Sequence, residues 1–230
     1  MLSVNKSSRF EFDAAADTYD KWYQTTEGAM YDRLEKKAVS RFLRRNTQGG
    51  KLLEVGCGTG HWSQFFSDYG FEVTGVDISE RMIKIAQSKN ITNASFQVAD
   101  GHSLPFGDNS FDVTAAITTL EFAGNVELVL QEMARCTRKP SGQLLIGVLN
   151  VLARLNRSRQ QNSESLYAKA DLFSPEQLKK RLSKYGQTEL CTAGFIPGQK
   201  YLLPLSPFID AVGWFFHLPY GAFIAGQVKL

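Results

Sequence analysis

The stretch Lys51–Trp62, KLLEVGCGTGHW, places Gly56, Gly58 and Gly60 directly behind a short apolar run. A main chain bared at three alternate positions lets a ligand come close, and a helix starting behind it favours a negative group. Two carboxylates stand at comparable places downstream, Asp77 in VTGVDIS and Asp100 in VADGHSLPF. A carboxylate after the second strand can accept both hydroxyls of a ribose. One after the third can take a hydrogen bond from an adenine amino group, with the Gly101 backbone beside it. Taken singly, Asp77 reads equally as a helix-entry cap and Asp100 as a turn residue. Together with the glycines, at successive strand ends, they point to one ligand carrying ribose and adenine. The loop spells G-x-G-x-G. The third glycine comes one residue earlier than in the G-x-G-x-x-G of dinucleotide sites, which disfavours a nicotinamide cofactor.

These residues need a scaffold that delivers strand ends to one edge. From Lys51 onward, strand and helix signals alternate: strands at Leu52–Val55, Phe71–Val76, Ala94–Val98, Ser110–Ile117 and Gln143–Leu149, with helices between them. Gly70 ends the first of those helices, and Ser79 with Glu80 caps the second. Such alternation means βαβ units and a parallel sheet covered on both faces. Ahead of it, Phe10–Arg45 reads as helical. Tyr31, Leu34, Ala38, Phe42 and Leu43 form its apolar face, and Arg33, Lys36, Lys37, Arg41, Arg44 and Arg45 its basic one. Beyond residue 150 the pattern loosens. Val151–Asp171 is polar and basic, Ser174-Pro175-Glu176 opens a capped helix, and Thr188–Ile196 and Ala222–Val228 are the last strands. They flank an aromatic, proline-rich connection.

With 230 residues the chain has room for one sizeable core, read as a single domain over 1–230 with a helical cap at 8–46, a cofactor-binding core at 51–150 and insertions near 151–172 and 197–220. A net charge of +3 neither demands nor excludes an anionic partner. Cys57, Cys136 and Cys191 stand far apart, without a C-x-x-C pair, which reads as a reduced, cytoplasmic protein and offers no shared metal site. The first residues, MLSVNKSSRF, lack the apolar core of a signal peptide. No apolar run reaches the ~18 residues of a membrane span, and Leu202–Ala225 is cut by prolines, glycines, Asp210 and His217.

LLEVGCGTG, VTGVDIS, VADGHSLPF, NSFDVTAAITTLEF and RKPSGQLLIGVLN, in this order, resemble the motifs of class I S-adenosylmethionine-dependent methyltransferases. The similarity is greatest to the small-molecule branch (methyltransferase type 11) that includes the quinone-biosynthesis C-methyltransferases, and it covers roughly Phe10–Asn150. Two departures are KPSG where the family often has KPGG, and ITTLEF at the end of strand four. The resemblance implies a Rossmann-like three-layer α/β sandwich whose seven-stranded, mostly parallel sheet has its last strand antiparallel. It implies S-adenosyl-L-methionine as cofactor and S-adenosyl-L-homocysteine as product. By that likeness Gly56 and Gly58 would pass the methionine part, Glu54 would orient the loop and its amino group, and Asp77 would hold the ribose. Ile78 and Met82 would pack on the adenine, although Met82 also reads as plain core, and Asp100 and Gly101 would read the adenine edge. The Ile117 carbonyl would receive the methionine amine, and Tyr19 would close over the cofactor.

Methyl transfer from a sulfonium asks for alignment more than for a conspicuous acid or base, so no catalytic residue is assigned. Glu121, after strand four, is the candidate base, or else a solvated first-turn residue. His61 and His102 read as capping or structural groups and His217 as packing. Tyr19, Trp22, Tyr23, Phe173, Tyr201, Phe208 and Trp214 would roof a pocket for an apolar or aromatic small-molecule acceptor. A lipid-like acceptor met at a membrane surface is compatible with the basic helix and the apolar stretch from Leu202. An acceptor carboxylate, as in the O-methyltransferase of biotin synthesis, is a further version, since the segment FDAAADTYD looks comparable. Arg41, Arg44, Arg45, Arg154, Arg157 and Arg159 could contact phosphates, but ITTL lacks the Asn/Asp-Pro-Pro-aromatic run of base amino-methyltransferases, so no nucleic acid is expected. A cofactor-binding protein without transfer activity is the remaining alternative.

Overall fold

The computed structural model describes residues 12–43, 49–163, 165–197 and 200–230. Phe10, Arg44 and Arg45 lie outside them. The expected long N-terminal helix is three pieces: α1 (Ala16–Tyr19), α2 (Lys21–Gln24) and α3 (Thr26–Ser40). The break before α3 has a local cause. Thr25 is extended and its hydroxyl accepts the Gly28 amide at 2.9 Å, an N-cap that starts a new helix.

Strands and helices then alternate as β1 (Lys51–Val55), α4 (His61–Asp68), β2 (Glu72–Asp77), α5 (Glu80–Ser88), β3 (Ala94–Val98), β4 (Val113–Ile117), α6 (Val126–Cys136) and β5 (Gln143–Leu149). After them come α7 (Arg154–Gln161), α8 (Pro175–Leu182), β6 (Gln187–Ala193), α9 (Ser206–Phe215) and β7 (Phe223–Lys229). The fourth strand starts later than its sequence suggests, because Phe111 makes only an isolated bridge to Thr137. The polar stretch after residue 150 contains α7 and a 3-10 turn, and the aromatic connection contains α9.

The seven strands run in the order β3-β2-β1-β4-β5-β7-β6. The first five pair in parallel, while β7 is antiparallel to both β5 and β6. Neighbouring residues on a strand point to opposite faces, so each central strand feeds two apolar layers. Leu53, Leu144, Ile146 and Ile224 meet Leu130 and Met133 of α6 and Leu178 of α8. Leu52, Leu145 and Phe223 meet Val39 of α3 and Trp62 and Phe66 of α4. This is the Rossmann-like sandwich.

The chain leaves β1 towards β3 and returns on the other side with β4. Between β1 and β4 the strand order reverses, and the carboxyl ends there border a crevice. The segment around α9 behaves differently. Tyr201, Phe208, Phe215, Phe216 and Tyr220 are exposed, and the segment is tied down by Asp210. The buried Asp210 carboxylate accepts the Gly194 amide at 2.7 Å and the Phe195 amide at 3.3 Å. Among the described residues no helix is long and apolar enough to cross a membrane.

Candidate functional site

The glycine loop after β1 turns at positive φ, +72° at Gly56 and +52° at Gly58. The Gly56 and Cys57 amides both donate to the Val76 carbonyl, at 2.7 and 2.9 Å. The Gly58 amide donates to Asp77 Oδ2 at 2.9 Å, and the Ser79 amide to Asp77 Oδ1 at 2.8 Å. Asp77 therefore ties the loop to the entry of α5. The N-cap of α5 is Ser79, whose hydroxyl accepts the Met82 amide at 3.1 Å, which leaves Asp77 free of that duty. A carboxylate has about four acceptor positions, and these two amides occupy two. Burial pushes the Asp77 carboxyl up, opposed by the Ser79 and Gly58 amides.

Around this loop lies a cleft open to solvent. Tyr19, Gly56, Gly58, Asp77, Ile78, Met82, Asp100 and Gly101 all line it. Glu54 and Ile117 do not. Glu54 is 1% exposed and points behind the loop, where its Oε2 accepts the Ser63 hydroxyl of α4 at 2.5 Å. The Ile117 carbonyl is engaged by the Thr119 hydroxyl at 3.0 Å. Past β4 the chain turns through Thr118 at φ +49°, and Thr118, Thr119 and Phe122 enter the cleft instead. Phe12 joins them, its ring edge-on to Phe122 at 5.1 Å. His102 also lines the cleft. Its Nε2 accepts the Asn125 amide at 3.1 Å, so the proton sits on Nδ1, 2.6 Å from Asp100 Oδ1.

A second cavity adjoins the first, and Tyr19 and Thr118 line both. Its other walls include Trp22, Tyr23, Tyr31, Glu35, Arg159 and Tyr167. The Arg159 guanidinium lies over Trp22 at 4.6 Å, Tyr167 at 5.5 Å and Tyr31 at 5.9 Å. Burial and the nearby Asp32 charge push the Glu35 carboxyl up to about 7. His61 is a support here, stacked on Tyr23 at 3.7 Å with its Nε2 2.7 Å from Asp32 Oδ1. Glu35 is absent from the sequence reading, although it stands four residues after Tyr31, the spacing that shares a helix face.

The aromatic roof divides. Tyr19, Trp22 and Tyr23 line the second cavity, whereas Phe173 belongs to the sheet core. Tyr201 and Phe208 are exposed, and Trp214 lies under Arg41 at 4.2 Å. Glu121 lines neither cavity and is not solvated. It is 1% exposed, and its Oε1 accepts the Leu149 amide at 2.5 Å. His217 sits in a turn at φ +51°.

Burial raises two of these carboxyls, Glu54 and Glu121, from an ordinary 4.5 to about 8. Each binds its proton more tightly folded than unfolded, so its contribution is complete below pH 4.5 and is lost as pH rises towards 8. The slope is at most roughly 1.4 kcal/mol per pH unit for each group. Urea denaturation between pH 5 and 8.5 is expected to show falling stability, and Glu121→Gln to flatten that fall. A pH-independent stability would refute the linkage.

The methyltransferase domain family of type 11 matches residues 53–146. An uncharacterized protein of Methanocaldococcus jannaschii is 32% identical over 178 residues, covering 76% of this chain and 80% of that protein. A malonyl-[acyl-carrier protein] O-methyltransferase of Erwinia billingiae is 32% identical over 65% of this chain and 57% of its own length. A demethylmenaquinone methyltransferase of Tropheryma whipplei is 33% identical over 59% of this chain and 56% of its own. The chain thus spans a little over half the length of these two named relatives. In fold, an S-adenosylmethionine-dependent methyltransferase of Thermotoga maritima superposes with a TM-score of 0.74 at 24% identity, over 95% of this chain and 97% of that one. The strand order, the methyltransferase domain over residues 53–146 and the relatives named as methyltransferases agree: the chain belongs to the S-adenosylmethionine-dependent methyltransferases.

Proposed function

We propose that the chain transfers a methyl group from S-adenosylmethionine to a small molecule seated in the second cavity. One observation carries this reading: Tyr19 and Thr118 belong to the walls of both cavities, so a donor in the first would face an acceptor in the second across a shared boundary. The first cleft suits the cofactor. A Cβ added at Gly58 would meet nothing within 4 Å, so bare backbone faces open space there. In this reading Gly56 and Gly58 pass the methionine part and the two spare acceptor positions of Asp77 take the ribose hydroxyls. Ile78 and Met82 pack on the adenine, and Asp100 and Gly101 read its edge. Glu54 acts indirectly, by holding α4 through Ser63. The Ile117 carbonyl has one lone pair left beside Thr119 for the methionine amine.

When bound, the cofactor supplies a methyl group on a sulfonium, an electrophile that needs alignment with a nucleophile. Alignment of this kind is worth up to roughly 7–11 kcal/mol of barrier. Tyr19, Trp22, Tyr23 and Tyr167 provide rigid aromatic walls that hold an acceptor and exclude water. The two named relatives differ in what their names say they methylate, and this chain matches little more than half of each. The donor half is therefore the part they share, and the acceptor has to be sought experimentally.

The test is acceptor-dependent formation of S-adenosylhomocysteine, followed by mass spectrometry, with pools of small aromatic molecules. Trp22→Ala is expected to raise the acceptor KM about 10-fold and to leave S-adenosylhomocysteine affinity unchanged. Trp214→Ala, although Trp214 reads from sequence as part of the acceptor roof, is expected to change neither. Equal loss of both affinities in Trp22→Ala would refute the division into two cavities. Cofactor binding with no product from any pool would leave a binding protein without transfer activity.

A further inference from the structure

The second cavity is electrically unusual. Its described lining includes two ionisable side chains, Glu35 and Arg159, whose charged forms are of opposite sign. The phenols of Tyr19, Tyr23, Tyr31 and Tyr167 are all pushed upward by burial, so they stay neutral and serve as donors and acceptors. Among the described residues neither Glu35 nor Arg159 takes part in an ion pair or a side-chain hydrogen bond. The Arg159 charge is felt at Glu35 without contact. Its guanidinium lies over the rings of Trp22, Tyr31 and Tyr167, and Arg159 belongs to the cavity wall.

Opposite charges that share a cavity without touching each keep an unmet demand. A simple anion on Arg159 would be brought towards the Glu35 carboxylate, and a simple cation on Glu35 towards the guanidinium. Like charges held together in a half-buried site are penalised. A molecule that carries both signs answers both groups at once, while its body fills the space between aromatic walls.

We propose that the acceptor is amphoteric: an aromatic or apolar body bearing a carboxylate-type anion for Arg159 and an ammonium or other N–H donor for Glu35. This rests on the methyl-transfer reading in one respect, that the second cavity is the acceptor's. Arg159 is then an anchor, whose fork suits a planar anion in a way that a lysine would not. Glu35 sets the second point, and the two together fix which end of the acceptor reaches the Tyr19–Thr118 boundary.

Three compounds with one shared indole body test this: tryptophan with both groups, tryptamine with the amine alone, and indole-3-propionate with the carboxylate alone. The full chain is first titrated with S-adenosylhomocysteine in a calorimeter and then, saturated with it, with each compound. Tryptophan is expected to bind at least ~10-fold more tightly than either partner, since one charged hydrogen bond separates it from each. Arg159→Gln should bring tryptophan level with tryptamine, and Glu35→Gln should bring it level with indole-3-propionate. Both variants should keep wild-type affinity for S-adenosylhomocysteine, because neither residue lines the first cleft. Equal affinities for the three compounds, no binding of any of them, or a tryptophan preference that survives both substitutions would overturn the proposal. The comparison within wild-type protein holds even if a variant fails to fold. If S-adenosylhomocysteine itself does not bind, it is the methyl-transfer reading that falls.

Discussion

Asp77→Ala is expected to weaken S-adenosylhomocysteine binding by at least ~100-fold in calorimetry. Two charge-assisted hydrogen bonds to ribose hydroxyls, at about 1.5 kcal/mol or more each, set that scale. A second loss adds to it. Asp77 also holds the Gly58 and Ser79 amides, so its removal frees the loop that the cofactor would pass. Asp77→Asn separates the two effects. The amide keeps one carbonyl oxygen and the size of the side chain, so a loss of about 10-fold is expected. Asp100→Asn should cost less than Asp77→Ala, because Asp100 is shared with His102 and would make one contact to the adenine edge. Circular dichroism on each variant guards against plain unfolding. An affinity within threefold of wild type in folded Asp77→Ala would remove Asp77 from the site. Tight binding of NAD in the same assay would overturn the cofactor assignment made from the glycine spacing.

Gly56→Ala is expected to cost about 2–5 kcal/mol in stability and to abolish cofactor binding. Two penalties combine. Gly56 sits at φ +72°, where a side chain costs about 1–2 kcal/mol. Its Cβ would also lie 2.2 Å from Cγ2 and 2.5 Å from Oγ1 of Thr119, an overlap worth about 1–3 kcal/mol. Only the second penalty depends on Thr119. The double variant Gly56→Ala/Thr119→Ala removes the Cγ2 and Oγ1 overlaps but leaves the Cβ of residue 119 at 2.9 Å. It should therefore recover part of the overlap and keep the backbone cost, and the two substitutions should couple favourably in a double-mutant cycle. Strict additivity would mean that the loop moves away from Thr119 rather than pressing against it.

What was legible in the sequence was legible for local reasons. The glycines, Asp77 and Asp100 each answer a short-range demand, a bare turn or a carboxylate at a strand end, and the strand and helix periods around them carry the sheet. Other features depend on the third dimension. Arg154 and Arg157 are exposed, as a basic stretch suggests, but Arg159 on the same helix turns inward over Trp22. Composition cannot distinguish them. Glu121 looks like a helix-start residue beside the acceptor, yet it is buried against the Leu149 amide, a partner 28 residues away. Thr118 carries no signal for its φ of +49°, which follows from the way β4 ends under the glycine loop. The Phe10–Arg45 periodicity hides the break at Thr25, because an N-cap threonine does not interrupt an apolar pattern. The aromatic connection reads as a lid over the acceptor, whereas Asp210 pins it to the backbone at Gly194 and Phe195 and its rings face outward.

The placement of β7 between β5 and β6 has a consequence for the timing of biosynthesis. Strand β6 pairs with β7 alone, so it has no neighbour until β7 has been made. About thirty residues separate the end of β6 from the start of β7. At a translation rate of about 5–20 residues per second, β6 waits roughly 2–6 seconds beside a growing aromatic segment. Its sequence, QTELCTA, suits the wait: Gln187, Thr188, Glu189 and Thr192 are poor material for adhering to another chain. The polar edge strand protects the nascent chain through the interval in which β6 still lacks its neighbour.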